Sequence, residues 1–146
     1  MSKFSIILTD KLRINGDEKM ALGKISIGDF SEKFYASLSY WDSEQYIFHW
    51  KQSLEKIING EQTSALITSM YDPKISNFIF WWLLYQEDKN IYVQNHILLM
   101  DNIDCLINEK NVYNYIPNRE IIDEEGNRIS EWITSLEAIK AFLTLY

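Results

Sequence analysis

Apolar and polar positions change their period several times along the chain. FSIIL at 4–8 and ALGKISI at 21–27 are apolar runs, β-branched in part, with the turn signal NGDE at 15–18 between them. EKFYASL at 32–38 adds a further short strand, so the first 38 residues are predicted as strands. Residues 42–59 then shift to a helical period. Tyr46, Trp50, Leu54 and Ile58 recur every four positions and share one face. Ser39 or Asp42 is placed to cap the start, with acids in the first turn favouring the helix dipole, and Asn59-Gly60 supplies the stop. His49, beside Trp50, is expected at the surface or an edge of this helix.

After the helix, three strands are predicted at about 64–70, 77–86 and 91–99, with the turn YDPK at 71–74 between the first two and the short polar loop EDKN joining the last two. On 77–86 one face carries Ile79, Trp81, Leu83 and Tyr85, and the other Phe78, Phe80, Trp82 and Leu84. Both faces are apolar, which predicts a central strand covered on both sides. Trp50, Phe80, Trp81 and Trp82 are therefore expected in the core. On 91–99, Ile91, Val93 and Ile97 point one way, and Tyr92, Gln94 and His96 the other, polar enough to reach solvent or a partner. Residues 101–117 read as a loop with room for a helical turn, and 119–132 as a hairpin turning at DEEGN. TSLEAIKAFLTLY, 134–146, reads as a second helix with a Thr134–Glu137 capping box and the stripe Leu136, Ile139, Phe142, Leu143. The pattern as a whole predicts an α+β fold, twisted antiparallel β-sheet with two packed α-helices, in one domain spanning 1–146.

Composition narrows the class. The apolar stretch Phe78–Tyr85 is eight residues, against roughly 20 for a membrane-crossing helix. The N-terminus MSKFSIILTDKLR is too short in apolar residues for a signal peptide, so a cytoplasmic chain without a membrane partner is expected. The single Cys105 excludes an internal disulfide and a cysteine cluster. Net charge is −7, unevenly placed: residues 87–125 hold nine acids against three bases. Such a segment either steers a basic partner or forms a solvated acidic surface that maintains solubility.

Candidate chemistry is sparse. His96 could join an Asp and a Ser in a triad, but G-x-S-x-G is absent, and Cys105 has no neighbouring base to activate it. DNID at 101–104 and DEE at 123–125 lack the spacing of calcium loops, and no H-x-x-x-H or C-x-x-C occurs, so no metal site is read. No phosphate-binding glycine loop is present, and no cofactor is expected. The aromatics could stack on bases, but base-stacking proteins add a basic groove, and here acids flank the predicted sheet. A binding module, not an enzyme, fits these absences best.

LSYWDSEQYIFHWKQSL (38–54), SALITSMYDPKISNFIFWWLLY (64–85), IYVQNHILL (91–99) and ISEW (129–132) resemble immunity proteins of bacterial contact-dependent growth inhibition systems. The likeness is to the branch paired with toxins similar to the ribosome-inactivating colicins. It runs in order over roughly residues 36–143, while the first 30 residues match poorly. It implies a cytoplasmic, non-enzymatic inhibitor that forms a 1:1 complex with the C-terminal nuclease domain of its cognate toxin. It also implies a fold like the Whirly type of single-stranded nucleic-acid-binding domain. A nucleic-acid-binding protein of that fold is the alternative function, but the chain lacks the basic sheet face it would need, so nucleic acid is not carried over as a partner.

The shared words are largely apolar and read as fold determinants, so the toxin site is expected in the polar, acidic segments. A nuclease is basic where it holds RNA phosphates, and an acidic inhibitor can occupy that groove. The candidate residues are Glu87 and Asp88 on one hairpin, Asp101 and Asp104 after the strand, and Asp123, Glu124 and Glu125 on the later hairpin. Tyr92 and His96 are candidate central anchors, because aromatics dominate hot spots. Nanomolar binding, about −12 kcal/mol, generally takes roughly 1,600 Å² of interface, which 146 residues supply as a monomer.

Overall fold

The computed structural model describes residues 3–101 and 106–145. Its first sheet is an antiparallel meander of β1 (Phe4–Asn15), β2 (Glu18–Ile27) and β3 (Phe30–Ser37). The predicted NGDE turn closes the first hairpin, with Gly16 at φ 66°. β1 runs well beyond FSIIL, because its polar second half pairs with β2 out to the turn while projecting from the body. Gly23 lies opposite Phe34 across β2 and β3, and a Cβ there would collide with the Phe34 ring. That ring packs edge-on against Trp50 at 5.9 Å.

Helix α1 (Ser43–Ile58) starts at Asp42. Its carboxylate accepts from the Gln45 N–H at 2.8 Å, and the Gln45 side chain accepts from the Asp42 N–H at 2.9 Å. The buried face is Tyr46, His49, Trp50, Ser53, Leu54 and Ile57. Ile58, expected on it, is rotated off. A four-residue step advances about 400°, so three steps from Tyr46 drift about 120°. The same arithmetic corrects His49: three residues after Tyr46 and four before Ser53, it falls on the buried face and is 4% exposed.

The second sheet has the order β4-β5-β6-β7, all antiparallel: β4 (Thr63–Ser69), β5 (Phe78–Glu87), β6 (Asn90–Leu99) and β7 (Trp132–Ser135). Asp88, at φ 55°, makes the tight turn between β5 and β6. β5 is central, as expected, and buried from Trp81 to Gln86. Phe80 is a correction: it is 37% exposed, because the covering layer does not reach this end of the sheet.

The C-terminal region holds two further corrections. β7 was not predicted as a strand, and it buries Thr134, whose hydroxyl donates to the Lys3 carbonyl at 3.4 Å. The cap of α2 (Leu136–Leu143) is therefore Ser135, which accepts from the Ala138 N–H at 3.1 Å. Between β6 and β7 stand a 3-10 turn, Val112–Tyr115, and the expected hairpin, reduced to a single bridge between Ile122 and Arg128.

The core lies between the two sheets and beneath the helices. Phe30 of the first sheet stacks on Trp132 at 4.1 Å, Trp132 meets Trp82 at 5.5 Å, and Phe4 meets Phe142 at 5.8 Å. α1 lies along the outer edge of β4. There Trp50 Nε1 donates to the Ile67 carbonyl at 2.7 Å, the Ile67 N–H donates to His49 Nε2 at 2.9 Å, and the Met70 N–H donates to Tyr46 Oη at 2.9 Å. These side chains satisfy backbone groups that would otherwise form an open sheet edge. The fold is the expected α+β arrangement of twisted antiparallel sheets with two packed helices.

Candidate functional site

β6 carries most of the polar and exposed features expected of a site, and it divides into two halves. Along its first half the outer face, Tyr92, Gln94 and His96, is roofed by residues 117–131. Arg119 is the fastening. Its guanidinium lies 3.9 Å over the Tyr92 ring, makes two bonds to Glu131 at 2.6 and 2.8 Å, and approaches Glu87 at 3.5 Å. Hydrogen bonding to Glu131 raises the Arg119 pKa, and the same bonds hold the Glu131 carboxyl below its ordinary range. Gln94, 1% exposed, donates through Nε2 to the Glu120 carbonyl and to Glu131. Its Oε1 is thereby the acceptor, so His96 Nε2 donates to it at 2.8 Å. Burial lowers the pKa of His96. Tyr85 Oη donates to the Pro117 carbonyl at 2.9 Å, and burial, with Glu131 and Glu120 nearby, pushes its pKa up to about 12.

The acidic candidates do not form one patch. Glu87 and Asp88 stand at the turn end of the β5–β6 hairpin, and Asp101 just past its open end, where it accepts from Asn77 Nδ2 at 2.8 Å. Ten-residue strands put those ends about 30 Å apart. Asp123 folds its own turn, its Oδ1 accepting from the Glu125 and Asn127 N–H groups at 2.9 Å. Glu124 and Glu125 are exposed on that turn. Asp104, like Cys105, lies outside the described residues. Arg119, Gln94 and Glu131 were missed as organisers of this face. The available signal was that Arg119 is the lone base between Lys110 and Arg128.

The second half of β6 is bare. Across the strands Phe80 pairs with Ile97 and Phe78 with Leu99, on the face that carries Trp82 and Val93 further along. The first sheet covers Trp82 and stops where Asn95 Nδ2 meets Glu32 at 3.5 Å. Beyond that contact Ile97 is 55% and Leu99 63% exposed.

Acid–base chemistry finds little purchase on these residues. His49 Nε2 is occupied by the Ile67 N–H, and burial lowers its pKa to about 3. Among the described residues no three His, Cys, Asp or Glu side chains gather as metal ligands, and no helix is long and apolar enough to cross a membrane. Two packed sheets, an edge guarded by a helix and a face part polar, part apolar describe an α+β module.

The comparisons give that module a family. A profile of the CdiI N-terminal domain matches residues 36–142, and the chain belongs to that family. It is 39% identical over 118 residues, 81% of each chain, to the immunity protein CdiI of Enterobacter cloacae subsp. cloacae. It superposes with a TM-score of 0.88 and 34% identity, over 97% of both chains, on a chain of the solved CdiA-CT/CdiI toxin and immunity complex from Enterobacter cloacae. The resemblance to contact-dependent growth inhibition immunity proteins, read from the sequence words, is borne out.

Proposed function

We propose that this protein is a cytoplasmic immunity protein, an inhibitor without catalysis of its own. It binds the C-terminal nuclease domain of its cognate toxin one to one and blocks the active site or the approach of RNA. The observation that carries this reading is the match of nearly the whole chain, at 34% identity, to a chain of a toxin–immunity complex. The chain's own charge supports the choice of a nuclease. A domain that cleaves ribosomal RNA is basic where phosphates lie, and residues 87–125 supply nine acids against three bases. In this reading Glu87, Asp88, Asp101, Asp104, Asp123, Glu124 and Glu125 steer the toxin inward, while Tyr92, beneath the Arg119 guanidinium, and His96, bonded to Gln94, lie on the roofed face.

The test is co-expression with the toxin domain encoded immediately upstream of this gene, followed by co-purification and a ribosome-cleavage assay. A one-to-one complex with cleavage blocked is expected. Protection without a complex, or a complex that leaves cleavage intact, overturns the proposal.

A further inference from the structure

β7 covers less than half of β6. Its register ends at Trp132 opposite Val93, after which residues 119–131 turn away to roof the Tyr92 face. Hydrogen-bonding direction alternates along an antiparallel strand. The Met100 N–H donates to the Asn77 carbonyl, so the even residues of β6 bond inward to β5 and the odd residues face outward. Ile91 and Val93 meet β7, whereas Asn95, Ile97 and Leu99 turn their N–H and C=O groups to an edge with no strand beside it among the described residues. An open edge of this kind invites pairing unless it is blunted. No lysine, proline or bulge blunts it; its side chains are an amide and two exposed aliphatics. The apolar face that begins at Phe80 and continues through Ile97 and Leu99 is the same surface seen from the front.

The geometry points to this corner, Phe80 with the edge Asn95–Ile97–Leu99, as the centre of the toxin interface, where an extended segment of the toxin domain adds a strand beside β6. This rests on the immunity reading above. Backbone bonds along the edge would fix the register, and Phe80, Ile97 and Leu99 would bury the toxin strand's apolar side chains. Charge selects the occupant. Asp101 follows Leu99, Glu32 flanks Asn95, and the chain carries −7 overall. A second copy of this chain would bring like charge to the corner, whereas a basic partner finds an apolar centre with an acidic rim, the usual anatomy of a specific interface. The acidic candidates of the sequence then act as rim and steering groups, with Asp101 shared by both.

The experiment uses the full chain and the co-encoded toxin domain. Affinity is measured for the wild type, Ile97→Lys, Phe80→Ala and, as a control on the β1–β2 hairpin, Ile14→Lys. All three side chains are already exposed, so the variants are expected to fold, and thermal melting checks this. Ile97→Lys and Phe80→Ala are each expected to weaken binding at least about 30-fold, with Ile14→Lys within about twofold. Amide exchange on the wild type needs no variant: the Asn95, Ile97 and Leu99 amides should exchange fast in the free protein and slowly in the complex. Wild-type affinity in both corner variants, or unchanged exchange at those amides, overturns the inference and leaves immunity standing. A wild type that does not bind the toxin overturns the immunity reading and this inference together. A dimer of the free protein that Ile97→Lys dissociates, in a protein whose toxin affinity is unaffected, assigns the edge to a second copy and also overturns it.

Discussion

His49 shows how one side chain can hold a pH dependence. Its Nε2 accepts from the Ile67 N–H, which only the neutral ring can do, and burial lowers its pKa to about 3 from an ordinary 6.5. The unfolded chain therefore takes up a proton near pH 6.5 that the folded chain refuses. Stability is full above that value and falls as pH drops from about 6.5 toward 3. Denaturant unfolding at pH 5 should show about 2 kcal/mol less stability than at pH 7 from this residue, following the 1.36 kcal/mol per pKa unit of linkage. His96, shifted the same way by burial, adds to the trend, while Glu131, held low, resists protonation and loses its contribution only at more acid pH. His49→Gln keeps an acceptor and removes the titration, so its stability should be flatter over the same interval. Gly23 is the other residue whose role is steric. Gly23→Val drives a side chain into the Phe34 ring and should cost about 1–3 kcal/mol, read as a lowered melting temperature. Neither role was legible in sequence. His49 looks like an edge residue when its face is set by four-residue steps, and Gly23 looks like any glycine within a strand.

At the scale of elements, each loose piece is fastened by one or two polar groups. Residues 117–131 have little regular structure and a single strand-like bridge; Arg119 holds them to the sheet through Tyr92 and Glu87 and ties their two ends together through Glu131. Arg119→Ala leaves the mostly buried Glu131 carboxylate without its cationic partner, with only Gln94 still donating to it. A loss of about 1–3 kcal/mol is expected, with amide exchange accelerated across 117–131 before the rest of the domain. Arg119→Lys should recover part of it, because an ammonium cannot reproduce the two-pronged contact. α1 plays the corresponding part for β4, with Trp50 and His49 meeting both polar groups of Ile67. The same sheet therefore has one edge closed by a helix and the other closed only halfway by β7. Local pattern found α1, its Asp42 cap and β4 to β6, since each carries its period within its own residues. It missed β7, four residues long, because so short a strand is defined by its neighbour β6 and by the stacking of Trp132 on Phe30.

For the whole molecule, the net charge of −7 matters through where the fold puts it. The acids of 87–125 are spread from one end of the β5–β6 hairpin to the other, so they give a broad negative field and not a single contact patch. The proposed function then predicts a toxin association rate that drops steeply with added salt. Reversing Asp123, Glu124 and Glu125 together to lysine should slow association about tenfold or more while changing dissociation little, as stopped-flow mixing would show. An unchanged association rate would remove these acids from the steering role. The sequence by itself determined the α+β class, the long strands, both helices and the family, because periodicity and apolar words are local and survive without knowledge of contacts. The family words begin near residue 36, yet the likeness in structure spans 97% of the chain. The tertiary structure alone decided which residues meet. It buried His49, joined Arg119 to Glu131 and Tyr92, separated the acids, and left Phe80, Ile97 and Leu99 bare where the first sheet ends. The physical reason is that exposure and electrostatic neighbourhood belong to pairs of elements distant in sequence, and no single segment carries them.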